Sequence, residues 1–100
     1  MIATVKNGRA QIRNDNGSLL RTVGSSGAIS ASISPDDEYV AVTYENGKVE
    51  LRKANGSLIR TITNKDATGA TFAGGTIAIQ KTNGRTEIRK VPSGSLIRTI

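Results

Sequence analysis

The chain has 100 residues, with 14 Lys and Arg against 8 Asp and Glu for a formal charge of +6. Cys and His are both absent, which removes disulfides, thiolate chemistry and the commonest general base and metal ligand. No apolar run nears the ~20 residues of a membrane span, and "MIATVKNGRA" lacks the apolar core of a secretion signal, so the expectation is no membrane partner and, by default, a cytoplasmic location.

The apolar share, 36%, is mostly Ile, Val, Leu and Ala, and Tyr39, Tyr44 and Phe72 are the only aromatics. Abundant Gly, Asn, Ser and Thr favour strands and tight turns over helices. Three copies of one phrase align. "MIATVKNGRAQIRNDNGSLLRTV" (1–23) matches 40–62 at an offset of 39, and 77–100 matches 40–62 at an offset of 37 that becomes 38 after "VPSG". A period of this size belongs to stacked repeat architectures.

The first copy reads as three strands joined at Asn7-Gly8 and Asn16-Gly17, the last ending at Val23. Ala28–Ser34 is a short alternating strand closed by Pro35-Asp36-Asp37, a good turn opener. Val40–Tyr44, Lys48–Lys53 and Ser57–Ile62 then repeat the three-strand phrase through Asn46-Gly47 and Asn55-Gly56. Ala67–Ala73, closed by Gly74-Gly75, is a weaker counterpart of 28–34. In the third copy Asn83-Gly84 recurs, but a longer loop containing Pro92 replaces the second tight turn. Asn-Gly supplies the two positive-φ residues of a type I′ hairpin, so each pair predicts a two-residue turn. With the strands of each unit named a to d, the chain reads bcd, abcd, abcd: eleven strands and no helix.

Two-residue registers put direct cross-strand partners on one face. They predict Val40, Val42, Tyr44, Val49, Leu51, Leu58 and Ile62 together with Lys53 and Arg60, and Ala41, Thr43, Glu50, Arg52, Ile59 and Thr61 behind them. A bulky face and a leaner back suit units that stack.

The stretch "SGAISASISPDDEYVAVTYENGKVELRKANGSLIRTI" resembles a WD-repeat blade, through "SPDDEYVAV" and "ENGKVEL". The resemblance implies an all-β propeller of four-stranded antiparallel blades with strand a nearest the axis. Residues 1–100 then form a single propeller fragment: an incomplete blade (1–23) and two full ones (24–62 and 63–100). The Trp-Asp pair of the family falls at Arg52-Lys53, and at Arg13-Asn14 and Arg89-Lys90 in the other copies, and the Gly-His pair is absent. The expectation is therefore a weakened buried hydrogen-bond network and blades held mainly by apolar packing.

Propeller rings use about 4–8 blades, and both faces of this arc call for neighbours. The chain is expected to close a ring by head-to-tail self-association through a heterologous interface. Two chains give six blades, the favoured homodimer, and three give nine; the competing reading is a fragment or engineered piece of a longer propeller. Stacking is also expected to bring Glu50 and Glu87 of strands c towards Arg21, Arg60 and Arg98 of strands d, as inter-blade pairs. In the competing account those arginines lay their stems over apolar surface with their heads in water.

No catalytic constellation is present, so the chain is read as non-enzymatic and without cofactor or metal. The one acidic cluster, Asp36, Asp37 and Glu38, follows Ser-Pro and reads as turn chemistry. Antiparallel order gathers the b–c and d–a connections at one end, with Lys6, Arg9, Lys48, Lys65, Lys81 and Arg85 against Glu45 and Asp66. The other end collects Asp15 and the acidic cluster. The functional expectation is an interaction scaffold for a macromolecule, protein first. The alternatives are an anionic polymer or nucleic acid at the basic loop face, and a multivalent carbohydrate-binding, lectin-like ring. Scarce aromatics argue against single-stranded nucleic acid.

Overall fold

Eleven strands and no helix make up the computed structural model, which describes residues 1–100. The first sheet is β1 (Ile2–Lys6), β2 (Arg9–Arg13) and β3 (Leu19–Val23). The second is β4 (Ala28–Ile33), β5 (Tyr39–Tyr44), β6 (Val49–Lys53) and β7 (Leu58–Thr63), and the third is β8 (Ala67–Ala73), β9 (Thr76–Lys81), β10 (Thr86–Lys90) and β11 (Leu96–Thr99). Within each sheet the strands pair antiparallel in chain order. The all-β architecture is the expected one.

The turns differ from expectation in a way that rotates side chains. Only Asn7 (φ 54°) and Gly8 (φ 75°) form the two-residue I′ turn, closing on the pair Lys6 and Arg9. At the second copy, the Tyr44 N–H donates to the Lys48 carbonyl and the Gly47 N–H to the Tyr44 carbonyl, both at 2.9 Å. The loop is therefore three residues, Glu45 to Gly47, and only Gly47 (φ 86°) is left-handed. Lys81, Gly84 and Arg85 repeat this pattern in the third sheet.

A local bond marks every three-residue loop, the side-chain oxygens of Asn16, Asn46, Asn55 and Asn83 accepting from the N–H two residues on, and the b–c loops carry a tertiary bond as well. The Glu45 N–H donates to the Gly27 carbonyl, and the Thr82 N–H to the Asp66 carbonyl, each at 2.9 Å. In each full sheet the incoming connector thus grips the first loop residue. The loop from Asn14 to Ser18 has the same three-residue form with no connector bond at Asp15, so the connector holds the b–c loops without setting their length.

Because side chains alternate with period 2, a one-residue slip moves a whole set to the opposite face. Val40 pairs with Arg52 and Val42 with Glu50, while Ala41 pairs with Leu51 and Thr43 with Val49. The expected division into a bulky face and a lean back is therefore corrected. One face joins large apolar residues of β5 to the polar Glu50 and Arg52 of β6, and the other joins small residues of β5 to the large Val49 and Leu51.

Two apolar seams lie between the sheets, each with seven buried residues. The first joins Ala10, Ile12 and Val23 to Ala28, Val40, Val42 and Tyr44. The second joins Ala41, Val49, Leu51 and Ile62 to Ala67, Ile77 and Ile79. Each Val, Leu or Ile fully buried this way contributes about 1.5–3 kcal/mol. Backbone stitches fix the stacking: the Ala28 N–H donates to the Gly8 carbonyl at 2.9 Å and the Ala67 N–H to the Gly47 carbonyl at 3.0 Å. Nearer the inner strands, the Ser32 hydroxyl donates to the Ala70 carbonyl at 2.9 Å.

Candidate interaction surfaces

The stitches at Gly8 and Gly47 join b–c turns to d–a connectors, so these connections share one end of the stack. Arg9, Lys48, Lys81 and Arg85 lie at that end within or beside the b–c hairpins, Lys6 flanks the first turn, and Lys65 sits on a connector. Three of the six are engaged. Arg9 donates to the Gly24 carbonyl at 2.9 Å. The Lys48 Nζ lies 3.3 Å from Glu50 and 4.9 Å from the centre of the Tyr44 ring. The Lys81 Nζ donates to the Thr63 hydroxyl at 2.8 Å and the Lys65 carbonyl at 3.1 Å, tying β9 to the connector that enters its own sheet.

Two shallow recesses open on this end at matching places in the second and third sheets. One, of about 170 Å³, lies between Ser25–Gly27 and Glu45, Asn46 and Lys48. The other, of about 240 Å³, lies between Asp66 and Thr82, Asn83 and Arg85.

The opposite end is acidic. The Met1 amino group sits 3.0 Å from Asp15 and 3.3 Å from Asp37. Hydrogen bonds to Asp15 first, and then to Asp37, raise its pKa above the ordinary 8.0. Asp36 accepts from the Ser34 hydroxyl and the Glu38 N–H, and these bonds, the Ser34 one foremost, hold its carboxyl below the usual 3.8. This is turn chemistry. No group of three or more possible metal-ligating side chains occurs anywhere in the chain.

Arg52, at the Trp position of the missing Trp-Asp pair, anchors a polar clamp that adds to the apolar seams. Tyr44 donates to Glu50 Oε1 at 2.7 Å, Arg52 Nε donates to the same oxygen at 3.0 Å, and Arg52 Nη1 reaches the Gly56 carbonyl at 2.8 Å. The Ser25 N–H donates to the Tyr44 hydroxyl at 3.1 Å, adding the connector. Gln11, Arg13 and Gly17 repeat the clamp in the first sheet, and Glu87, Arg89 and Gly94 in the third.

Burial pushes the Glu50 carboxyl up, but hydrogen bonds from Tyr44 and Arg52 outweigh it, so the group titrates below 4.5. Tyr44 is raised above 10.0, by burial first and then by its bond to Glu50. The spacing of Arg13 to Gly17, Arg52 to Gly56 and Arg89 to Gly94 was a visible signal for this clamp that turn and face patterns alone do not use.

The clamp also redirects the expected inter-blade pairs. Glu50 bridges Arg52 at 3.0 Å and Lys48 at 3.3 Å, and Glu87 bridges Arg89 at 2.9 Å, all within one sheet. Strand c turns its carboxylates to the face where its own arginine already saturates them. Arg21 reaches the next sheet by a different bond, donating to the Asn55 carbonyl at 3.1 Å. Arg60 packs its stem against Gly94. No carboxylate lies within salt-bridge distance of Arg21, Arg60 or Arg98.

Both ends of the stack are uncovered. Leu51 and Ile62 are 0% and 9% exposed under the third sheet, whereas Ile88 is only half-buried and Ile100 is 70% exposed at the corresponding places. On the first sheet, Ile2 is 43% and Leu20 40% exposed.

No protein-family model matches the sequence, and neither does any curated protein. Solved structures do match the fold. BamB from Moraxella catarrhalis superposes on all of this chain with a TM-score of 0.79 at 15% identity, using 32% of its own length. The WD40 β-propeller domain of Doa1 matches 92% of the chain (TM-score 0.73, 16% identity, 33% of its length). The C-terminal WD40 domain of Sif2 matches 98% (TM-score 0.71, 15% identity, 32% of its length). The chain thus spans about a third of each of these structures. Its fold is that of a partial WD-like β-propeller.

Proposed function

We propose that the chain is a non-catalytic β-propeller interaction module that completes a ring head-to-tail with further copies and binds a macromolecular partner, protein first. One observation carries this reading. The last sheet presents Ile88 and Ile100 where the preceding sheet buries Leu51 and Ile62 beneath a neighbour. An apolar sheet face of this kind belongs under another blade. A ring of two chains has six blades, inside the usual range, and one of three has nine.

Light scattering on the purified chain tests the idea. The expected mass is twice that of one chain, and Ile100→Asp should return it to the monomer while leaving the strand content unchanged. A folded wild-type monomer overturns self-assembly.

A second reading rests on charge. Six cations gather at the loop end, and Asp15, Asp36, Asp37 and Glu38 lie at the other, so an anionic polymer is the alternative partner. Heparin affinity should then fall roughly 10³-fold between 50 and 200 mM salt, and Lys65→Glu with Arg85→Glu should weaken it further. Salt-independent or absent binding removes this reading. The third alternative, a lectin-like ring, gains least, because Tyr44 is buried and no exposed aromatic platform faces either recess.

A further inference from the structure

We propose that the inner edge of β1 is a strand-addition site, taking one extended segment with the small-residue chemistry of β4 and β8. This names the kind of partner for the interaction module above and rests on that reading.

The second and third sheets cover strand b with an innermost strand: β4 on β5, and β8 on β9. In the first sheet β1 is itself the edge. Its register with β2 decides which backbone groups are left over. The two-residue turn makes Lys6 and Arg9 a hydrogen-bonded pair, so Thr4 with Gln11 and Ile2 with Arg13 follow in the alternation of an antiparallel ladder. The N–H and C=O groups of Ala3 and Val5 therefore point away from β2, and no other backbone bond takes them.

Sheets usually blunt such an edge with Pro, a bulge or inward charge. β1 contains no Pro, runs in unbroken register and has Lys6 as its one charge. Four aligned, unpaired groups on an unprotected strand are the main-chain template that strand addition uses.

The occupant's chemistry follows from the two intramolecular examples. β4 reads AISASI and β8 reads ATGATFA, with Ala, Gly, Ser or Thr at most positions. Small side chains are required because inner strands of successive sheets approach closely enough for the Ser32 hydroxyl to donate to the Ala70 carbonyl. Ala31 stands at the repeat position of Ala70, so a hydroxyl residue at the Ser32 position of the added strand meets the Ala31 carbonyl in the same way. β4 and β8 are already paired in their own sheets, so neither of them is the added strand.

The test uses the full chain and a synthetic peptide, GAISASISPDD, copying Gly27–Asp37. Site-resolved amide hydrogen exchange should show saturable slowing of at least tenfold at Ala3 and Val5, with the Ile12 amide unchanged. The same peptide N-methylated at alternate residues should not protect them. Ala3→Pro removes one outward N–H without touching the ladder to β2, a placement edge strands tolerate. It should weaken peptide binding at least tenfold while β2 stays protected.

Unchanged exchange at Ala3 and Val5 with saturating peptide overturns the proposal. So does equal binding by the N-methylated peptide. Concentration-dependent protection of those two amides in the peptide-free chain also overturns it, since a second copy then holds the edge. Solution mass, measured on the same samples, reports the ring separately. An oligomer whose two amides stay unprotected at saturating peptide leaves the module standing and removes only the strand-addition site.

Discussion

Gly47→Ala is expected to destabilise the chain by about 2–5 kcal/mol, against about 1–2 kcal/mol for Gly84→Ala, in urea or thermal unfolding. The two glycines stand at equivalent loop positions with nearly equal φ, 86° and 83°. The left-handed penalty of about 1–2 kcal/mol for an L-residue is therefore common to both. The surroundings separate them. A Cβ on Gly47 would overlap the backbone nitrogen of Asp66 and crowd the carbonyl carbon of Lys65, whereas one on Gly84 meets nothing within 4 Å.

Backbone cannot rotate aside as a side chain can, so the third sheet must move off the second. That movement breaks the 3.0 Å bond from Ala67 to Gly47 and loosens the seam, an overpacking cost of about 1–3 kcal/mol beyond the shared strain. Gly8, whose added Cβ would lie 3.7 Å from Gly27, should fall near Gly84. Equal effects at Gly47 and Gly84 would show that the turn does not couple the sheets.

The second large effect belongs to Glu50. Its side chain is 7% exposed, and it receives Tyr44, Arg52 and Lys48. Glu50→Ala leaves a mostly covered guanidinium and a buried phenol without this acceptor, and removing one partner of a buried pair costs up to about 3–5 kcal/mol. Glu50→Gln should cost far less, since Gln11 already serves Arg13 from the same place at 2.7 and 3.1 Å.

The pH dependence has a definite sign. The folded carboxyl titrates below its ordinary 4.5, so the unfolded chain takes up the proton first as pH falls. The contribution of Glu50 is fully present above about 4.5 and declines as pH drops through the lower folded value. Acid titration of stability should be shallower in Glu50→Gln than in the wild type. Identical acid limbs would remove Glu50 from the clamp.

The period, the strand boundaries and the gathering of cations on one set of loops were legible because they depend on residue type and chain order alone. Arg52, Gly56 and their counterparts were written just as openly, but their meaning needs β6 and its following turn in three dimensions. Registers were the least legible. The same Asn-Gly dipeptide makes a two-residue turn at Asn7-Gly8 and part of a three-residue turn at Asn46-Gly47. At Asn46, as in every three-residue loop of the chain, the side-chain oxygen accepts from the N–H two residues on, and the Gly27 carbonyl also holds the Glu45 amide from 18 positions upstream in sequence. The dipeptide alone does not report which turn forms, and the misplaced face for Glu50 relative to β5 followed directly from the extra loop residue. The expected inter-blade partners differ for another reason: Glu50 and Glu87 are held by Arg52 and Arg89 of their own strands.

The differing turn in the first hairpin bears on any attempt to improve this polypeptide by averaging its repeats. Ala3 and Val42 occupy the same column when the copies are superimposed as text, yet Ala3 packs against the seam to which Val42 belongs, from the opposing sheet. Enlarging the whole column would crowd that junction from both flanks and enlarge the Ile77–Ile79 junction from only one. A consensus built by letter therefore needs the handedness of each turn settled first.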